Sequence, residues 1–350
     1  MLPIKSLKIL VSFLVLGYLL LAACYSSPPP QTSISFYHWK SEFKPNNSEL
    51  TYLDQLKVQR LYLRFFDIDW NFTQQEAVPL AILHSSTSLP DSIALVPTLF
   101  ITNRTFLHLP ENQLPDLVHK THKKIMDHLQ DFPNHPIAEI QIDCDWTAKT
   151  QSIYFDFLKK LNAKFAKLPI STTIRLHQIK YFKKTGVPPV DRGTLMFYNM
   201  GEVDQWATQN SILDLDLARQ YLVNFENYPL SLDLALPLFS WAVLFREGRM
   251  IRLINGIHHS HMEDNQRFNK VGKNRFEVIK STYLQGQYLY RGDAIRIESI
   301  QLSDLQEAVQ MLGDKWPQTD RHLIFYHLDS SIINRYPYES IQQVSSLFSN

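Results

Sequence analysis

Cysteine is nearly absent: the 350 residues hold two, Cys24 and Cys144, so no disulfide framework braces the fold and stability must come from a packed core. Charge of one sign is lacking as well. With 35 Lys and Arg against 34 Asp and Glu, there is no excess of cations to neutralise phosphates, which argues against nucleic acid as a partner. The apolar run at residues 9–21 falls short of the roughly 20 residues that a bilayer span requires. No Gly-x-Gly-x-x-Gly follows any β-rich run, which counts against a dinucleotide-binding sheet. What is present is 45% apolar residues, ample for one large domain or two modest ones.

Lys5 and Lys8 ahead of that short apolar run read as a signal peptide covering residues 1–24. The run ends in Leu21-Ala22-Ala23-Cys24, which resembles the bacterial lipobox, in which the Cys thiol is acylated and becomes a membrane anchor. Residues 25–32, with Ser26, Ser27 and three prolines, predict a partly extended tether. Tyr25 rather than Asp after the lipobox Cys points to an outer-membrane address in a bacterial envelope, with the face left open. The folded domain is expected over 33–350.

Short β-rich runs then recur at 34–39, 60–69, 93–101, 138–146, 170–177, 193–200, 230–239 and 322–329. Amphipathic segments separate them. In 150–168, Ile153, Phe155, Phe157, Leu158, Leu161 and Phe165 mostly follow helical spacing, and a helix over 302–316 has Ser303 as its expected N-cap. Eight strands alternating with helices predict an α/β fold, a (β/α)8 TIM barrel, with an open doubly wound sheet as the alternative. Residues 245–300 hold several β-rich runs and turns, predicting a small α+β or antiparallel insertion between strands seven and eight.

Strand alternation assigns the side chains. In "IQIDCDWT", residues 140–147, Ile140, Ile142 and Cys144 face out, so Glu139, Gln141, Asp143 and Asp145 face into the barrel. Tyr62, Arg64, Thr173, Arg175, His177 and Asp233 face in by the same argument. Buried charges need partners, and Arg64 and Arg175 are the expected counterions of Glu139, Asp143 and Asp233. Active sites of such barrels lie at the carboxyl ends of the strands, where the sequence places Trp39, Asp67, Asp69, Asp145, Trp146, His177, Tyr198, Asn199, Phe239, Trp241, His327 and Asp329. Aromatic faces beside carboxylates and amides suit a carbohydrate ligand, with rings against C–H surfaces and polar groups on hydroxyls.

These residues resemble the chitinase-like glycoside hydrolases (family 18 and its relatives). In that family strand four ends in Asp-x-x-Asp-x-Asp-x-Glu, strand six in Met-x-Tyr-Asp or Asn, and a small insertion often follows strand seven. Asp143-Cys144-Asp145-Trp146 is similar to the first motif, Met196-Phe197-Tyr198-Asn199 to the second, and 245–300 falls where the insertion would. Over strand four and its helix the chain also resembles bacterial barrel proteins that share an Ile-Gln-x-Asp-x-Asp strand. The resemblance implies that Asp145 assists a substrate substituent and that Tyr198 hydrogen-bonds the same region. It also implies a proton-donating Glu where this chain has Thr147, which cannot be the general acid.

The expected catalytic residues are therefore Asp143, Asp145 and Tyr198. Trp39, Arg64, Asp69, Trp146, Arg175, His177, Asn199 and Trp241 are expected to bind substrate. Two carboxylates at i and i+2 on one strand lie about 7 Å apart at the backbone, within the roughly 5 to 9.5 Å over which paired carboxylates cleave glycosides. The His258-His259-Ser260-His261 run reads as a solvated loop of the insertion, so no metal and no cofactor is expected. Two readings stay open: a lipid-anchored hydrolase of an envelope or environmental glycan, and a non-catalytic glycan-binding or scaffolding lipoprotein on the same barrel.

Overall fold

The computed structural model describes residues 31–85, 89–165, 167–317 and 321–349. The expected signal peptide, Cys24 and all but the end of the tether lie outside them. Eight parallel strands, β1 (Thr32–His38), β2 (Arg60–Asn71), β3 (Ala94–Ile101), β4 (Ile140–Asp143), β5 (Ile170–Arg175), β6 (Arg192–Met196), β7 (Leu232–Pro237) and β8 (Arg321–Tyr326), pair in chain order. β1 pairs with both β8 and β2. The sheet is closed, an eight-stranded (β/α)8 barrel.

Helices pack outside through apolar stripes. Gln151–Lys164, between β4 and β5, buries Tyr154, Phe157, Leu158 and Leu161, the three- and four-residue spacing that keeps one face inward. Leu302–Gly313 does the same with Leu305, Ala308, Val309 and Leu312. Its N-cap is Gln301, whose backbone N–H donates to Asp304 Oδ2 at 2.8 Å; Ser303, the expected cap, lies inside the first turn. Between β2 and β3 a strand, Glu76–Leu80, runs antiparallel to β2.

The insertion begins at Trp241, directly after β7. Trp241–Arg246, Arg249–Asn255, Phe268–Lys270, Arg275–Val278 and Ala294–Glu298 form a five-stranded antiparallel sheet, and Thr282–Leu284 pairs with Gln287–Leu289 as a hairpin. Ala242, Leu244, Ile254, Phe276, Leu284, Leu289 and Ile295 belong to a separate apolar core within it.

The barrel interior is polar, and much of it is hydrogen-bonded internally, with Ser35 Oγ and Asp233 Oδ2 left without a hydrogen-bond partner among the described residues. Tyr37 donates to Gln141 Oε1 at 2.6 Å, Gln141 Nε2 to Thr194 Oγ1 at 2.9 Å, and Ser171 to Glu139 Oε1 at 2.9 Å. Glu139 also accepts from Tyr62 at 3.4 Å, and Asp233 faces Arg192 at 3.4 Å. Glu139 and Asp233 therefore do not use Arg64 or Arg175. Burial raises the Glu139 carboxyl above its ordinary value and pushes Asp233 up to about 7.

Candidate functional site

β2 decides what Arg64 can reach. Its pairing with β3 shifts register between Arg64 and Phe66, and such a bulge puts an extra residue on one face. Phe65 and Phe66 both turn outward, each with its ring within 6 Å of His128 on the outer helix. The next inward residue after Arg64 is thus Asp67, and Arg64 Nε donates to Asp67 Oδ1 at 2.7 Å while Nη1 donates to the Trp39 carbonyl at 3.2 Å. Its guanidinium lies 5.4 Å from the Trp39 ring. Arg64 supports Trp39 from behind, contrary to the expectation that it neutralises the barrel carboxylates.

Arg175 takes that part. It closes β5, side chain inward, with Nη2 3.6 Å from Asp143 Oδ1 and Nε donating to Asp145 Oδ1 at 2.6 Å. Asp143, the last residue of β4, is buried and accepts from Thr173 Oγ1 at 2.5 Å. Burial pushes its carboxyl above the ordinary value, Arg175 pulls it down and Asp145 pushes it up again. Burial also works against the charge on Arg175, but Asp143 and Asp145 outweigh it and raise the guanidinium. Asp145 lies just past the strand with its side chain 53% exposed, so one carboxylate is open to ligand and the other stands behind it.

Above them opens a cleft of about 830 Å³. Trp39, Tyr198, Phe239, Trp241 and Tyr326 supply its aromatic surface; Tyr326 makes ring contacts with Tyr198 at 5.6 Å, Trp39 at 5.7 Å and Phe239 at 5.7 Å. Asn199 joins them from a left-handed backbone, φ 55°, its N–H bonded to the Ile212 carbonyl at 2.7 Å. A smaller cavity of about 260 Å³ adjoins, sharing Asp145, Arg175, Tyr198 and Asn199 and lined also by His177 and Tyr221. Asp143, Asp145, Tyr198, Trp39, Arg175, Asn199 and Trp241 thus converge as expected.

Four expected site residues do not line the main cleft, Arg64 being the first. Asp69 is buried beyond the barrel rim, accepting from Thr102 Oγ1 and Arg104 Nε at 2.6 Å each, and these donors hold its carboxyl down to about 2, the Arg104 bond being the largest cause. Trp146 keeps the outward parity of Ile140, Ile142 and Cys144: its ring stacks on Tyr154 at 5.4 Å and its Nε1 donates to the Thr185 carbonyl at 3.0 Å. It is a packing residue. His177 lies on the helix Leu176–Lys180, because β5 stops at Arg175, and reaches only the smaller cavity.

Other lining residues were not expected. Ser240 and His258 border the cleft and bond to each other, Oγ to Nδ1, at 2.8 Å; burial, with Arg335 nearby, lowers His258 to about 4. One member of the histidine run thus faces the cleft, and among the described residues no cluster suited to a metal forms. Asn255, Gly256 and Gln285 reach the cleft from the insertion. Alternation along β8 would have indicated Tyr326; nothing local marks the insertion residues, which depend on how that sheet docks.

A buried ion pair serves that docking, beside Arg275 Nη2, which donates to the Trp206 carbonyl at 3.0 Å, and Asn274 Nδ2, which donates to the Gln209 carbonyl at 2.9 Å. Arg296 and Glu298 have fully buried side chains, with Nη2 to Oε1 at 2.6 Å. Glu298 Oε2 accepts from Trp241 Nε1 at 2.9 Å, Ser211 Oγ at 2.6 Å and Ser211 N–H at 2.8 Å. Arg296 donates to the carbonyls of Val203 and Gln205. The pair joins the insertion to the loop after β6 and sets the Trp241 ring.

No protein-family model matches the chain, and no curated protein matches it either. Solved structures do. The spore cortex-lytic enzyme SleL of Bacillus cereus superposes with a TM-score of 0.55 at 11% identity, over 92% of this chain and 76% of that one. The class V chitinase of Nicotiana tobaccum gives 0.53 at 9%, over 92% and 99%, and a mutant of that chitinase was solved in complex with NAG4. A chitinase from Chromobacterium violaceum gives 0.52 at 10%, over 89% and 98%. At such identities the likeness is one of fold, and the barrel with its antiparallel insertion has the chitinase-like TIM-barrel fold.

Proposed function

We propose that the chain is a lipid-anchored, glycoside hydrolase-like protein of the bacterial cell envelope whose cleft takes an envelope or environmental glycan. The observation that carries this reading is the pair of carboxylates, one buried and one open, bridged by Arg175 under aromatic walls at the carboxyl ends of the strands. Asp145 is the group that meets the ligand. Asp143, raised by burial, holds or releases a proton behind it, and Tyr198 orients the substituent above them. Thr147 has no part: it is not among the cleft residues, and its N–H is bonded by Thr150 Oγ1 at 2.9 Å. In this reading the acid comes from the Asp143–Asp145 pair.

A specific observation favours the alternative, a non-catalytic glycan-binding or scaffolding lipoprotein: Arg175 compensates both carboxylates, which suits a fixed binding floor as well as a proton donor. Screening the purified domain against chromogenic glycosides and polysaccharides separates the two. Turnover that Asp145→Asn abolishes while the thermal melt is retained supports the hydrolase; binding without turnover in either form supports the second reading. Anchoring through Cys24 is tested by radiolabelled palmitate, which should label the full chain and not Cys24→Ala.

A further inference from the structure

The hairpin at 282–289 presents two unlike faces. Leu284 and Leu289 are buried in the core of the insertion, while Tyr283, Tyr288 and, just beyond the strand, Tyr290 are 69%, 36% and 53% exposed. Strand alternation puts the three rings on one side, and they stand in series, Tyr283 to Tyr288 at 5.0 Å and Tyr288 to Tyr290 at 4.9 Å. Isolated exposed apolar side chains need no explanation, but a contiguous group marks a contact surface.

Charge surrounds this row. Residues 241–298 contain ten Lys and Arg against six Asp and Glu, although the whole chain is nearly balanced. Lys280 and Arg291 flank the tyrosines in sequence, both exposed. Arg252, exposed on the edge strand of the sheet, reaches the hairpin through Gln287 Oε1. The turn of the same hairpin carries Gln285, which lines the cleft. The surface is thus continuous with the cleft, aromatic along its length and cationic at its margins.

We infer that the outer face of this hairpin binds an acidic polysaccharide strand whose end or branch enters the cleft. Tyr283 and Tyr288 receive sugar C–H faces and their hydroxyls the polar substituents, Tyr290 presents the face that Arg246, 4.3 Å from its ring centre, leaves open, and Lys280, Arg291 and Arg252 meet carboxylates or sulfates along the strand. The inference rests on the cleft being a glycan site, but its test does not depend on turnover. An anionic membrane would use cations and tyrosines too; continuity with the cleft through Gln285 favours the polysaccharide.

The probe is polygalacturonate, with chitin as neutral control and phosphatidylglycerol vesicles as membrane control. Wild type should bind polygalacturonate more tightly than chitin and lose affinity as salt is added. The Tyr283→Ala, Tyr288→Ala, Tyr290→Ala triple variant should bind it about tenfold or more weakly, as expected for loss of an aromatic contact group. Tyr283→Ala alone, at the most exposed position, should give a smaller loss in the same direction without altering the melt. Only binding is read, so tyrosine-dependent binding with no turnover of any glycoside leaves this inference standing while removing the hydrolase reading, and the two failures are distinguishable. Equal binding by the triple variant and wild type overturns the inference. So does absence of binding to polygalacturonate, or tyrosine-dependent binding to vesicles in its place.

Discussion

Arg175 answers to two carboxylates in different surroundings, Asp143 buried and Asp145 open to the cleft. Replacing it with Met strands Asp143 with only Thr173 for support. Removing one partner of a buried pair costs roughly 3 to 5 kcal/mol, and a loss of that order at neutral pH is expected for Arg175→Met. The sign with pH follows. A carboxyl whose folded value lies above its unfolded one stabilises while protonated, and that contribution is lost as pH rises through the folded value. Without Arg175 the folded value of Asp143 rises further, so the deficit against wild type should shrink toward acid and grow toward neutrality in urea melts. A deficit that does not vary with pH would mean that Arg175 acts through packing alone.

At the level of elements, alternation made much of the barrel legible before any coordinates, and it failed where a strand stops being regular. The eight β-rich runs became the eight barrel strands, and Asp143, Tyr198, Trp39 and Trp241 were found as strand-end residues. Arg64 was misassigned because the bulge at 64–66 brings Asp67 beside it, Asp69 because β2 runs on to Asn71 past the rim, and Trp146 because its strand-end place was set above its outward parity. No local sequence signal announces the bulge. The contrast between two tryptophans tests the corrected assignment. Trp146→Phe should cost about 1 kcal/mol, the worth of its bond to the Thr185 carbonyl, and leave ligand affinity unchanged. Trp241→Phe should weaken ligand binding, because the ring loses the bond to Glu298 that fixes it in the cleft wall. Isothermal titration and thermal melts of both variants, done side by side, would show the two effects exchanged if the assignment were wrong.

Across the whole molecule, buried titratable groups pull stability in opposite directions with pH. Burial lowers His38 to about 3 and His327 to about 4, as it does His258. Each binds a proton more readily unfolded, so their stabilising contribution, full above an ordinary histidine value of about 6.5, is lost as pH falls toward those values. Asp233, raised to about 7, acts in reverse: its contribution is full below the ordinary carboxylate range and lost as pH rises to about 7. Asp233→Asn should therefore flatten the fall in melting temperature between about pH 4 and 7 and leave the acid limb, set by the histidines, in place. Melts of wild type and variant across that range would refute this if the two curves ran parallel. The Arg296–Glu298 pair has a consequence of another kind. Trp241 and Ser211 wait on an acceptor encoded much later in the chain, so the cleft wall cannot be fixed during synthesis until the last strand of the insertion has left the ribosome and folded back. The cleft is completed near the end of translation, and a chain truncated before Glu298 would have most of the barrel sequence without a defined cleft wall.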